Sequence, residues 1–127
     1  MTDPYAADPY QAFRTAVLDG DVDAAVALFA EDAVFHSPVV HRPYVGREAL
    51  RAILAAVTTV FEDFRYTAEY GGEHGHVLVF EARVGDRECH GVDILRGVDG
   101  VLTELTVLVR PYSAATALRE RMAALLA

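Results

Sequence analysis

One cysteine, Cys89, in 127 residues excludes an intrachain disulfide and a cysteine-based zinc site. No uncharged apolar run approaches the roughly eighteen residues of a membrane span, and the longest apolar stretches are strand-sized. Basic runs are missing too. Eleven basic residues, scattered along the chain, stand against nineteen acidic ones, and a net charge of −8 repels phosphate backbones, so a nucleic-acid partner is not expected. The stretch Met1-Thr2-Asp3-Pro4 has no basic segment leading into an apolar one, so the expected location is the cytoplasm, away from membranes. There is no glycine-rich phosphate loop, no serine nucleophile elbow and no Cys-His pair, which removes nucleotide binding and covalent catalysis from the expectations. His74 and His76 stand two apart in a turn, His36 and His41 flank a proline, and no helix carries a glutamate with a histidine pair. Neither a metal nor a cofactor is expected.

What is present is a 53 % apolar chain of one-domain length, read as a single domain over residues 1–127 with residues 1–7 as a flexible N-terminus. Phe13, Ala16 and Val17 recur at helical spacing over about residues 8–19, and Gly20 stops that helix. Asp21 caps a second helix whose Ala25, Leu28 and Phe29 share a face. Residues 33–37 read as a short strand closed by Pro38, and residues 47–60 as a third helix with Leu50, Ile53, Leu54 and Val57 apolar. From about residue 64 the period drops to two. Strands are predicted over 64–70, 77–84, 88–96 and 101–109, separated by Gly71-Gly72, Gly85-Asp86 and Asp99-Gly100 turns. A short helix over 116–126 closes the chain. Helices first and hairpins after define an α+β order.

Gly20-Asp21-Val22-Asp23-Ala24, the run from Leu28 to Ala33, Pro38, the helix start Gly46-Arg47-Glu48-Ala49-Leu50 and Asp99-Gly100-Val101-Leu102 together resemble the nuclear-transport-factor-2-like superfamily. Within it they resemble the branch of SnoaL-like polyketide cyclases and ketosteroid isomerases, over residues from Tyr10 to about Leu126. The resemblance implies a cystatin-like cone, with three or four helices packed on a strongly curved antiparallel sheet around an apolar pocket. It also implies a homodimer formed through the outer sheet face. The isomerase residues would fall at Ser37 for the general base, Phe13 for the oxyanion-donating tyrosine and near Val92 for the protonated carboxylic acid. None of these residue types can fill those roles.

The candidate site residues follow from strand parity. One of His36 and Ser37 faces the pocket; His36 is either a general base or a hydrogen-bonded rim histidine. His90 shares a face with Val92 and Ile94, the face expected to look inward, and is either an isolated polar group in the pocket or a satisfied core histidine. Asp93 has the opposite parity unless a bulge shifts it. The expected catalytic residues are therefore His90 and His36, with Tyr10, Phe13, Ser37, Tyr44, Val92 and Asp93 as ligand contacts. Tyr66 is a further phenol able to donate at the cavity, or an ordinary core aromatic. The expected function is cofactor-independent acid/base chemistry on a small hydrophobic carbonyl or polyketide-like compound: an isomerase, cyclase or hydrolase. The alternative is a non-catalytic small-ligand-binding or accessory protein.

Overall fold

A computed structural model describes residues 8–126, so the expected flexible segment 1–7 lies outside the described residues. Helix α1 spans Pro9–Leu18; the Asp8 carboxylate accepts from the backbone N–H groups of Tyr10 and Gln11, and proline occupies the first turn where its missing N–H costs nothing. Gly20 turns the chain at φ 69°, and Asp21 accepts from Ala24 N–H to cap α2, Val22–Ala27. Strand β1 runs over Phe29–His36, starting earlier than the expected residue 33, and its register against a later strand shifts between Phe29 and Val34. The two-residue strand β2, Tyr44–Val45, pairs with β1 and hands the chain through Gly46 at φ 101° to helix α3, Arg47–Val60. Arg47 donates from Nε to the Phe29 carbonyl at 2.8 Å, fastening the helix start beneath β1.

Four long strands follow: β3 Glu62–Gly72, β4 Gly75–Val84, β5 Arg87–Val98 and β6 Val101–Arg110. Asp99 and Gly100 both take positive φ, 52° and 81°, which matches the twist of a two-residue hairpin. Helix α4, Tyr112–Leu126, then packs back against α3 and the sheet, burying Ala114 and Leu118. It begins four residues before the expected start at 116.

The sheet corrects one expectation. Its order is β2-β1-β6-β5-β4-β3, and β1 runs parallel to β6 while all the other neighbours are antiparallel. It is an open, mixed sheet with β2 and β3 as its edges, in place of the strongly curved, wholly antiparallel wall of a cone. The physical reason is that β1 enters from the helical layer and must lie alongside β6 in the same direction, which no chain of hairpins requires. Four helices cover one face among the described residues.

Two apolar clusters fill the space between layers. One joins Phe13, Phe29, Phe35, Leu50, Ile53, Leu78, Leu95, Leu102 and Leu105; the other joins Val60, Phe80, Val84, Cys89, Ala114 and Leu118. Cys89 behaves as a small hydrophobe, and burial pushes its thiol up to about 11. No helix among the described residues is long and apolar enough to cross a membrane.

Candidate functional site

A cavity of about 540 Å³ lies between the inner sheet face and helices α1, α3 and α4. Helix α1 contributes Phe13 and Val17, α3 contributes Ile53, Leu54 and Val57, and α4 contributes Leu118 and Met122. The sheet side supplies Phe35, Tyr44, Phe64, Leu105 and Val107, and Ser37, Pro38, Val39 and Val40 form part of the rim. Asp19 and Arg119 also line it, both exposed. Into this apolar space the sheet places one carboxyl, that of Asp93, only 7 % exposed.

Asp93 faces inward because β5 alternates without interruption against β4. Cys89, Gly91, Asp93 and Leu95 are buried on the helix-covered face, while His90, Val92 and Ile94 are only half-buried on the other. This parity reverses the expected one. His90 therefore stands on the outer face, between Glu81 of β4 and Arg110 of β6 in register, in a polar groove with Arg65 and Glu88. Val92 shares that face. His36 likewise turns away from the cavity, with Nε2 3.5 Å from Glu104 Oε2, while its neighbour Ser37 lines the cavity. The Ser37 hydroxyl accepts from the Val39 and Val40 backbone N–H groups at 3.1 and 3.2 Å, which shapes the rim. Tyr10 stacks on His76, ring centroids 5.1 Å apart, and is not among the lining residues. Of the expected set, the cavity thus brings together Phe13, Ser37, Tyr44 and Asp93. His36, His90, Tyr10 and Val92 lie elsewhere.

The partner of Asp93 is Tyr66 of β3, whose hydroxyl donates to Oδ2 at 2.7 Å. One strand, β4, lies between them in the sheet, with Leu78 opposite Asp93 and Phe80 opposite Tyr66. Desolvation raises the Asp93 carboxyl to about 7, against the smaller opposing pull of the Tyr66 hydroxyl, which favours the anion. Burial, and then the adjacent carboxylate, push the Tyr66 phenol far above its ordinary range, so it stays protonated and donates. No buried side-chain nitrogen or oxygen lacks a partner among the described residues. Asp93 itself is among the residues that line the cavity. A carboxyl near 7 in an apolar pocket is half-protonated around neutral pH and can take or give a proton to a bound molecule. Among the described residues no group of three or more His, Cys, Asp or Glu side chains is arranged to hold a metal ion.

Fold and site together define an α+β domain with an apolar cavity of small-molecule size and, among the described residues, a single deeply buried carboxyl. The sequence matches the SnoaL-like domain over residues 10–117, and the chain belongs to that family within the nuclear-transport-factor-2-like superfamily. It is similar to a steroid delta-isomerase from Pseudomonas aeruginosa, with 38 % identity, a TM-score of 0.90, and 98 % of this chain and 93 % of that one covered. A cystatin-like-fold protein from Silicibacter pomeroyi shares 32 % identity at a TM-score of 0.86, over 91 % of this chain and 83 % of that one. A SnoaL-like polyketide cyclase homologue from Shewanella denitrificans, 17 % identical, matches in fold with a TM-score of 0.67 over 93 % of this chain and 99 % of that one. No curated protein matches the sequence significantly.

Proposed function

We propose that the protein is a cofactor-independent acid/base enzyme acting on a small hydrophobic carbonyl compound, with Asp93 as the group that moves the proton. The observation that carries this reading is the Asp93 carboxyl, buried in an apolar cavity, oriented by Tyr66 and raised to about 7. As the anion, Asp93 takes a proton from the carbon beside the ligand's carbonyl, leaving an enolate and a neutral carboxylic acid. Where a carbon–carbon double bond adjoins that carbon the enolate is a dienolate, and returning the proton to its far carbon shifts the double bond and gives an isomer. If the enolate carbon instead closes on a second carbonyl of the same molecule, the proton goes to the new alkoxide and the product is a ring. Both routes regenerate the carboxylate and balance without an oxidant or reductant. The Tyr44 phenol, also on the cavity wall, is assigned to hold the carbonyl oxygen. The similarity to the Pseudomonas steroid delta-isomerase supports a proton-transfer chemistry of this kind.

The test is deuterium exchange from D2O into the carbon beside the carbonyl of a panel of cyclic and unsaturated ketones, followed by NMR. Asp93→Asn is expected to slow exchange by about 10²- to 10⁴-fold, while His36→Ala and His90→Ala leave it unchanged. Tight ketone binding with no exchange in the parent chain sinks the enzyme and favours the binding or accessory reading. Exchange that survives Asp93→Asn removes Asp93 from the role.

The reading includes a homodimer through the outer sheet face, where Val92 and Ile94 are half-buried and Leu108 is 52 % exposed. Light scattering at micromolar concentration is expected to give twice the 13.8 kDa chain mass, and Leu108→Glu to return it to one chain. A single-chain mass for the parent rules the dimer out.

A further inference from the structure

We propose that Arg14 is a positioning residue for the Tyr66–Asp93 pair: its guanidinium, laid on the Tyr66 ring and tethered through Glu69, strengthens the hydrogen bond that Tyr66 donates to Asp93. The proposal rests on the reading of Asp93 as the proton-transfer group. The Arg14 guanidinium carbon lies 5.8 Å from the Tyr66 ring centroid, within the range where a cation draws on the ring's electrons. The opposite demand on the ring, its edge-on contact with Phe64 at 5.0 Å, keeps the phenol from rotating away.

Arg14 is itself held. Its Nε stands 3.9 Å from Glu69 Oε1, while Glu69 Oε2 accepts from Gln11 Nε2 at 2.6 Å and meets His76 Nε2 at 2.8 Å. Those hydrogen bonds, from His76 first and then Gln11, hold the Glu69 carboxyl below its ordinary range, so it is ionised wherever Arg14 needs a partner. Tyr10 covers His76 by stacking on it. The charged and titratable groups facing Tyr66 are then Arg14 from α1 and Asp93 from β5, with Glu69 of β3 and His76 of β4 one contact further out; Arg65 and Glu81 pair with each other. A cation over the ring makes the phenol a better donor, and a better donor favours ionised Asp93. Arg14 thus lowers the pH at which Asp93 gives up its proton, acting through a hydroxyl it does not touch.

The experiment follows the Asp93 carboxyl by its carbon NMR shift in aspartate-labelled protein, across pH, in the full chain. Arg14→Met, which keeps the apolar cover of the side chain, is expected to raise the Asp93 midpoint by about half a pH unit. Arg14→Lys is expected to return most of that shift. In a Tyr66→Phe background Arg14→Met is expected to move the midpoint by less than a third as much, because the route through the hydroxyl is gone. Coincident midpoints for parent and Arg14→Met overturn the proposal, and so does an equal shift in the Tyr66→Phe background, which makes the effect a direct charge interaction. The titration needs no turnover, so it stands apart from the enzyme reading. Where exchange is measurable, its pH midpoint is expected to move with the carboxyl.

Discussion

At pH 8, Asp93→Asn is expected to be more stable than the parent chain by about 2–4 kcal/mol, and at pH 4 the two are expected to be nearly equal. The carboxyl ordinarily titrates at 3.8 and does so at about 7 in the folded chain. Between those two values the folded state keeps a proton that the unfolded state has released. The folded state therefore binds more protons there, and stability falls as pH rises through that window. Below it both states are protonated and there is no penalty; above it both are ionised and the penalty is complete and constant. An asparagine carbonyl still accepts from Tyr66 but carries no charge to desolvate. Urea unfolding at pH 4, 6 and 8 reads the difference directly. Parallel pH curves for parent and variant would mean that Asp93 is not raised. Combined with the loss of exchange expected for the same substitution, the result is a site held at a cost in stability.

Gly91→Ala is expected to destabilise the fold by about 3 kcal/mol, near the upper end of what one added methyl does in a packed interior. A Cβ at residue 91 would lie 2.5 Å from the Leu108 carbonyl oxygen of β6 and 2.5 Å from Phe80 Cζ of β4. The Phe80 ring is fully buried, with ring centroids 5.0 Å from Phe64 and 5.5 Å from Phe61, so it has little room to retreat. The other obstacle is backbone and cannot retreat without breaking the β5–β6 ladder. For that reason Phe80→Leu is expected to rescue Gly91→Ala only in part, a result a double-mutant cycle in urea would measure. Full rescue would show that the Leu108 carbonyl is not the barrier. The missing side chain at residue 91 thus leaves room for the Phe80 ring to lie against β5, two residues before Asp93 on the same face.

The elements were legible where the period is unambiguous. Helix α3 was predicted at its observed bounds, 47–60, because Leu50, Ile53 and Leu54 repeat at helical spacing behind a glycine start, and the β4, β5 and β6 hairpins follow from their turns. Strand β1 was predicted too short because Leu28 and Phe29 continue the helical spacing of Ala25, and only the pairing of Phe29 with Leu102 makes that segment extended. The sheet's parallel junction left no local mark at all. The site was half-legible: Phe13, Ser37, Tyr44 and Asp93 were named and all line the cavity. Parity failed on β5, where His90, Val92 and Ile94 look more like an inner face than Cys89, Gly91, Asp93 and Leu95 do. Alternation says which residues share a face, and an outer face that is itself apolar removes the signal that says which face is inside. Tyr66 could be named as a phenol but not joined to Asp93, because their contact spans β4 and depends on two strand registers at once.

The parallel pairing of β1 with β6 joins segments roughly seventy residues apart in the chain, as Phe29 opposite Leu102 illustrates. Every hairpin from β3 to β6 can zip locally, but β1 has no partner on its β6 side until the last strand exists. During synthesis, β1 must therefore wait for its β6 partner while most of the chain emerges. Non-local pairing of this kind slows folding through the entropy of closing a long loop, and it makes docking of the early segment onto β6 a natural late step. The cavity shares that timing. Its walls come from both ends of the chain, so a ligand has no pocket to enter until folding is all but complete.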